Sequence, residues 1–321
     1  MRTDVAIIIV TYNSADHIMA CLESIRSNQC SLKSEVIVVD NNSSDHTIAH
    51  ISKFFPEVKV ITSQRNRGFA AAVNTGVACC DSEHVLLINP DTVVVGQAIS
   101  QITDFAAKNP SYGVYGGRTL KLDGSLEPSS CWGIPSLWSL ALFACGITTI
   151  ARGNRILDPE SIGGWERDSI REVGMVTGCF LLVTREIFMS LGGLDERYFM
   201  YGEDVDFSIK ARKAGYRPVI NPEAVIIHEV GQSSASPTHK FQLLYRGKAC
   251  LVRTHWRGAA KRLGLAMLGF GVGMRAFLSY FGKYAGFIQA KPHWEILWKS
   301  RGNWLNGYPV KVLESQGEMD K

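Results

Sequence analysis

Short apolar, β-branched runs alternate with stretches of helical spacing through the first hundred residues. No other feature constrains the chain as much. "VAIIIVTY", "EVIVVD", "VKVIT" and "HVLLIN" read as strands. Residues 15–27, 45–55, 68–80 and about 97–108 read as helices. In the first of these, Ile18, Cys21, Leu22 and Ile25 share one face, and Pro56 ends the second. Strands that alternate with helices form right-handed βαβ units, so the expected class is α/β. The sheet should be Rossmann-like, mostly parallel and covered by helices on both faces.

Such sheets bind ligands beyond the carboxyl ends of their strands. Three of those ends carry polar residues: "TYNS" at Thr11, "DNNSSD" at Asp40 and "NPD" at Asn89 to Asp91. Asn, Pro and Asp also favour plain turns, and that reading of N-P-D stays open on the residues alone. No G-x-G-x-x-G follows the first strand, and "GFGVGM" at Gly269 has neither the spacing nor a preceding strand. With no G-x-x-x-x-G-K-[ST] and no G-x-S-x-G, a P-loop enzyme and an α/β-hydrolase are excluded.

At 321 residues, 46% hydrophobic and 20% charged, the chain can bury a sizeable core as one large domain or a domain with an appendage. The apolar run Val5 to Val10, with Asp4 just before it, makes a poor signal peptide. The eight cysteines, at 21, 30, 79, 80, 131, 145, 179 and 250, form no C-x-x-C and no metal spacing. They are expected to be reduced thiols in the core.

Charge divides the chain. From Lys240 to Arg301 there are twelve Lys or Arg against Glu295 alone, a balance of +11. The remainder carries 22 basic and 29 acidic residues, −7. A solvated helical face accounts for a modest excess, whereas twelve to one points to an anionic partner: a membrane surface, a phosphorylated lipid or nucleic acid. No nucleic-acid recognition module is present, so nucleic acid is not expected as that partner. The expected division is therefore 1–239, a catalytic unit, and 240–321, a basic helical extension. In the extension the longest uncharged run, Leu263 to Met274, is too short to cross a bilayer. Residues 128–151 hold no charge over 24 positions, but Pro135, Gly146, four serines and two threonines interrupt them. They are read as a buried or interfacial element rather than a span.

A second acidic cluster, Glu203, Asp204 and Asp206, opens a helix reaching about Ala214. The helix dipole stabilises acids there, which is a purely structural reading. Crowded carboxylates also repel, and repulsion or burial raises a pKa toward base chemistry. "EVGMVTGCFLLVT" reads as a buried strand, 185–191 as a short helix, and His228 ends a further apolar strand in "VIIHEVGQS".

Taken in order, "IIIVTYNS", "VVDNNSSD", "NRGFAAAVNTG", "LLINPDT", "TGCFLLVTREIF", "GGLDERYFMYGEDVDFSIKARKAGY" and "HEVGQS" resemble family 2 glycosyltransferases of the GT-A fold. Among them the closest likeness is to bacterial rhamnosyltransferases of O-antigen and cell-wall assembly. The resemblance runs from about Val5 to Ser233. It implies an inverting transfer from a nucleotide-sugar, dTDP-L-rhamnose in the first place, to a polyprenyl-diphosphate-linked glycan. The expected location is the cytoplasmic face of the membrane, in peripheral attachment. Asp40 would bind the base, with Thr11 and Asn13 in the same pocket. Asn66, Arg67, Gly68, Asn74 and Asn89 would lie along the donor. Asp91 takes the second acidic place of the family's D-x-D motif, with Asn89 in place of the first Asp. Asp91 and His228 would hold Mg²⁺ or Mn²⁺ on the diphosphate. Asp204 would be the base, with Glu203 and Asp206 beside it. A UDP-sugar donor (galactofuranose, GlcNAc or glucose) and a non-catalytic, glycan-binding assembly partner are the alternatives.

Overall fold

The computed structural model describes residues 3–28, 33–228, 237–285 and 292–309. Cys30, the E-V-G-Q-S end of the last motif and the tail beyond 309 lie outside the described residues. The first half follows the alternation: β1 (Val5–Thr11), α1 (Ile18–Ser27), β2 (Ser34–Asp40), α2 (Thr47–Phe54), β3 (Lys59–Thr62), α3 (Phe69–Ala78) and β4 (His84–Ile88). A short β5 (Thr92–Val94), α4 (Ala98–Lys108) and β6 (Val114–Leu120) come next.

The middle is more broken. It holds β7 (Cys131–Trp132), α5 (Leu137–Ala144), α6 (Ile147–Ile150), β8 (Arg171–Glu172), β9 (Met175–Val176), β10 (Phe180–Thr184), α7 (Arg185–Ser190), α8 (Glu203–Lys213) and β11 (Val219–His228). The stretch read as one buried strand, "EVGMVTGCFLLVT", is thus three short strands. The G-M-V-T-G-C segment bends between sheets, and β9 pairs with β7 in a separate ribbon. Residues 128–151 form two short helices rather than a span, with Trp138 and Ile150 exposed. Four helices close the described chain: α9 (Pro237–His255), α10 (Gly258–Ala285), α11 (Pro292–Lys299) and α12 (Arg301–Trp304).

The main sheet has the order β3-β2-β1-β4-β10-β6-β11-β5, with β8 on β11. β10 runs antiparallel to both neighbours and β5 runs antiparallel to β11, while β1 to β4, β6 and β11 share one direction. Alternate residues of β1 feed opposite faces. Val5, Ile7 and Ile9 join α1, α2 and α4 in one core, and Ala6, Ile8 and Val10 join α3 and α8 in the other. Period-two side chains between two helical layers produce this arrangement, and each fully buried Ile or Val contributes roughly 1.5–3 kcal/mol.

A third core joins α5 to the last four helices through Leu140, Tyr245, Val252, Leu268, Leu297 and Trp304. Gly271 lets α10 approach α5, since a Cβ there would meet the Phe143 ring at 2.5 Å. Two expectations need correction. Cys79 and Cys145 are exposed, because they sit at helix carboxyl ends that face water. A 24-residue stretch of α10, Gly258–Phe281, is long and apolar enough to cross a membrane by length and composition. Arg275, which limits the uncharged run in the sequence, turns its side chain inward and leaves the outer face apolar.

Candidate active site

Because β1, β2 and β4 are parallel, their carboxyl ends meet at one edge, where Thr11 pairs in register with Asp40. Thr11 Oγ1 donates to Asp40 Oδ1 at 2.9 Å, and Ser43 donates through N to Oδ2 at 2.9 Å and through Oγ to Oδ1 at 2.5 Å. Asn13 takes a left-handed φ of 52°. In that conformation its N–H donates to Ser43 Oγ and its side-chain oxygen accepts from the Ser44 N–H, each at 2.8 Å. Thr11, Asn13 and Asp40 therefore form one knot at the strand ends.

The next loop is tied to this knot by a residue the sequence reading passed over. Asn41 is buried, and its side chain donates to Gly68 O at 3.0 Å. Asn66 Oδ1 accepts from the Gly68 N–H at 2.9 Å. Gly68 has φ 86°, and a Cβ on it would lie 2.3 Å from Phe199 O, so only glycine fits. The second Asn of D-N-N was the available signal for Asn41. Arg67 and Asn74 are engaged elsewhere. Arg67 pairs with Glu196 at 3.2 Å, and the Asn74 amide donates to Leu194 O and accepts from the Leu194 N–H. Their side chains hold the G-G-L-D-E loop against α3.

After β4, the turn Asn89–Pro90–Asp91 feeds β5, which runs back along β11 with Thr92 opposite His228. That pairing places His228 Nε2 3.1 Å from Asp91 Oδ1 across 137 residues of chain, both side chains being buried. Asn89 Nδ2 stands 3.5 Å from the same ring nitrogen. The other ring nitrogen, Nδ1, is buried with no hydrogen-bond partner among the described residues. One carboxylate and one imidazole thus converge beside the strand ends. They are a chemically suitable pair for Mn²⁺ or Mg²⁺ if further oxygens come from a ligand. No cluster of three or more His, Cys, Asp or Glu exists among the described residues.

The second acidic group lies across the Thr177–Cys179 segment. Gly202, at φ 107°, turns the chain into α8 so that Glu203 and Asp204 reach the cavity wall. Asp204 accepts from the Val205 N–H at 2.8 Å, and burial raises its pKa to about 6. Glu203 is raised well above the usual carboxylate range, first by burial and then by the charge of Asp204, and its Oε2 has no hydrogen-bond partner among the described residues. Burial and mutual repulsion therefore make both acids harder to ionise than free carboxylates. Cys179, between the two groups, has its thiol pushed up to about 12, chiefly by burial and further by the charges of Asp91 and Asp204. It stays a thiol. Asp206 corrects the expected trio: it is 0% exposed and points to α9. It meets His255 Nε2 of α9 and Lys210 Nζ of its own helix at 2.7 Å each.

A cavity of about 1620 Å³ runs from the strand ends to the last helices. Tyr12, Asn41, Asn66, Asp91, Asp204 and His228 line one end, and Tyr245, Arg275 and Trp294 line the other. The side chains of Thr11, Asn13, Asp40, Arg67 and Asn74 support this wall without lining it. A drug-sized ligand fills about 300–1,000 Å³, so the space admits two substrates together.

A mostly parallel sheet with acids at its carboxyl edge, opening on a two-substrate cavity, defines a GT-A glycosyltransferase. The model of glycosyl transferase family 2 matches residues 6–158. An N-acetylglucosaminyl-diphospho-decaprenol L-rhamnosyltransferase of Mycobacterium tuberculosis is 32% identical over 256 residues, 72% of this chain and 78% of that protein. The chain belongs to glycosyltransferase family 2. In fold it is similar to the mannosyltransferase PcManGT of Pyrobaculum calidifontis, solved with GDP-Man and Mn2+ (TM-score 0.56, 17% identity, 95% of this chain and 86% of that one). It is also similar to Staphylococcus aureus TarS 1-349 with UDP (TM-score 0.52, 17% identity, 90% and 76%).

Proposed function

We propose that this protein is an inverting rhamnosyltransferase. It moves L-rhamnose from dTDP-L-rhamnose to a sugar carried on a polyprenyl diphosphate, in cell-surface polysaccharide assembly at the inner face of the cytoplasmic membrane. The observation that carries the reading is that the Asp91–His228 pair and Asp204 line one cavity, close enough for both carboxylates to act on the thiol of Cys179. The likeness to the mycobacterial transferase supplies the sugar and the class of acceptor.

Asp204 takes the proton from the acceptor hydroxyl as it attacks the anomeric carbon. With a pKa raised to about 6 it is ionised at pH 7 and a stronger base than a free carboxylate. Glu203 lies beside it, and burial together with the charge of Asp204 disfavours its ionised form. Attack from the face opposite the diphosphate, in one displacement, inverts the anomeric centre. Asp91 and His228 would hold a divalent cation, which offsets the charge growing on the leaving diphosphate. Asn41, Asn66 and Gly68 shape the donor side of the wall, and Thr11, Asn13 and Asp40 fix the loop behind it. The outer face of α10, with Leu263, Phe270, Phe277 and Phe281 exposed and Arg262 beside them, lies in the lipid headgroup layer. Its other face packs on α5 and α11, which suits a helix in the plane of the membrane.

The test is a panel of dTDP-rhamnose, UDP-galactofuranose, UDP-GlcNAc and UDP-glucose, scored for transfer to a lipid-diphosphate-linked GlcNAc with Mg²⁺, with Mn²⁺ and with chelator. Rhamnose transfer with inversion is expected. Efficient transfer from a UDP-sugar and none from dTDP-rhamnose would overturn the donor.

A further inference from the structure

Far from the strand ends, the cavity wall contains a buried cation that the transfer chemistry does not use. Arg275 is 9% exposed. Its Nη1 donates to Phe143 O at 2.7 Å and Gly271 O at 3.0 Å, and its Nη2 to Thr149 Oγ1 at 3.0 Å and Thr148 Oγ1 at 3.4 Å. The guanidinium lies 3.9 Å above the Phe143 ring and 5.4 Å from that of Trp294. No carboxylate among the described residues forms an ion pair with it. Glu160, on the same wall, is already held by Lys248 Nζ and Ser139 Oγ at 2.7 Å each.

Carbonyls, hydroxyls and ring faces solvate a guanidinium without neutralising it, and a buried charge left unneutralised destabilises the fold. The other buried, acid-free arginine on this wall differs. Arg167 donates to the carbonyls of Ser161, Ile162 and Trp165, all within six residues, and so fastens its own loop. Arg275 instead lines the cavity, whose wall also holds the apolar Met274, Leu244 and Phe241 and the lysines Lys240 and Lys248. Leu278, one helical turn further along α10, lines the cavity and is also 49% exposed. The cavity therefore reaches the outer apolar face of α10 next to the buried cation. An anionic group joined to a hydrocarbon chain matches both features: the Nη donors of Arg275 are held by protein acceptors, so what it offers is a fixed positive charge with no carboxylate against it, which attracts a phosphate.

We propose that Arg275 seats the diphosphate of the lipid-linked acceptor, with the hydrocarbon chain leaving the cavity over Leu278. This rests on the lipid-diphosphate acceptor proposed above. Its cation is distinct from the Asp91–His228 pair that serves the donor. A phospholipid headgroup offers the same phosphate chemistry, so the test separates the two sources.

Transfer is measured in neutral detergent with two acceptors: GlcNAc on farnesyl diphosphate, and GlcNAc on a long alkyl chain through a plain O-glycoside. The full-length protein should show a KM at least about tenfold lower for the diphosphate acceptor. Arg275→Gln should erase that preference while leaving donor hydrolysis and the KM of the alkyl glycoside near their parental values, and Arg275→Lys should restore part of it. A second measurement needs no variant. Farnesyl diphosphate should inhibit transfer to the diphosphate acceptor competitively, and farnesol and phosphatidylglycerol should not. The inference is overturned if the preference survives in Arg275→Gln, if both acceptors suffer equally as a structural tie would require, or if phosphatidylglycerol competes as well as farnesyl diphosphate. If the parent protein hydrolyses the donor but glycosylates neither acceptor, the acceptor class itself is wrong and this seat falls with it. If both acceptors serve with equal KM, the function stands and Arg275 has no such role.

Discussion

Asp91 and Asp204 both act on the thiol of Cys179, yet they occupy opposite kinds of site. Asp91 lies in the turn between β4 and β5, is buried and has an imidazole 3.1 Å away. Asp204 lies in the first turn of a helix, has Glu203 as a neighbour, and has no cationic partner among the described residues. One carboxylate is paired with an imidazole, and the other is raised in pKa by burial. The residue type is thus the lesser determinant, since what closes over a carboxylate sets its partners and its basicity.

The largest effect should come from Asp204→Asn. Transfer should fall by about 10²-fold or more with donor affinity nearly unchanged, because a base acts in the transition state rather than in donor binding. Retention of a tenth of the activity would make the two acids equivalent and break the contrast. Asp91→Ala and His228→Ala should each raise the divalent-ion concentration for half-maximal rate by about tenfold or more, and weaken the donor with it. If the parent enzyme is indifferent to chelator, the strand-end acid is no ligand.

A pH profile sharpens the same contrast. The rate should rise with pH through about 6 as Asp204 loses its proton. Glu203→Gln should keep that limb and most of the activity, because burial and the charge of Asp204 disfavour the ionised form of Glu203. A large loss in Glu203→Gln would transfer the base role to it.

Stability should move the other way. The Asp204 pKa is raised in the folded state, so the stability of the protonated form is fully present below the ordinary carboxylate range and is lost as pH rises through about 6. Asp204→Asn should therefore stabilise the protein at pH 7 by on the order of 1–3 kcal/mol, read as a higher Tm, with no such gain at pH 4. The smallest catalytic effect belongs to His255→Ala. It should lower Tm through the lost bond to buried Asp206, at a cost of about 2 kcal/mol, and leave the rate per folded molecule unchanged.

Much of this was legible in the chain. The apolar runs of β1, β2 and β4 are local patterns, and their parallel direction follows from the helices between them, so Thr11, Asp40 and Asn89 to Asp91 had to meet at one edge. Asn41 was missed because a buried amide holding a backbone carbonyl 27 residues away looks like any loop asparagine. Asp206 was misplaced because three acids in four positions look alike until α9, some fifty residues on, shows which of them it faces.

By itself the sequence determined the strand and helix periods, the polar strand ends and the charge division, since each depends on residues adjacent in the chain. Only the tertiary structure decided the rest: that β5 doubles back on β11 to bring Asp91 to His228, that Asp204 and not Asp206 faces the cavity, and that Arg275 turns away from the apolar face of α10. The reason is that desolvation and charge pairing are set by groups far apart in sequence. A carboxylate or guanidinium acquires its chemistry from the elements that close over it.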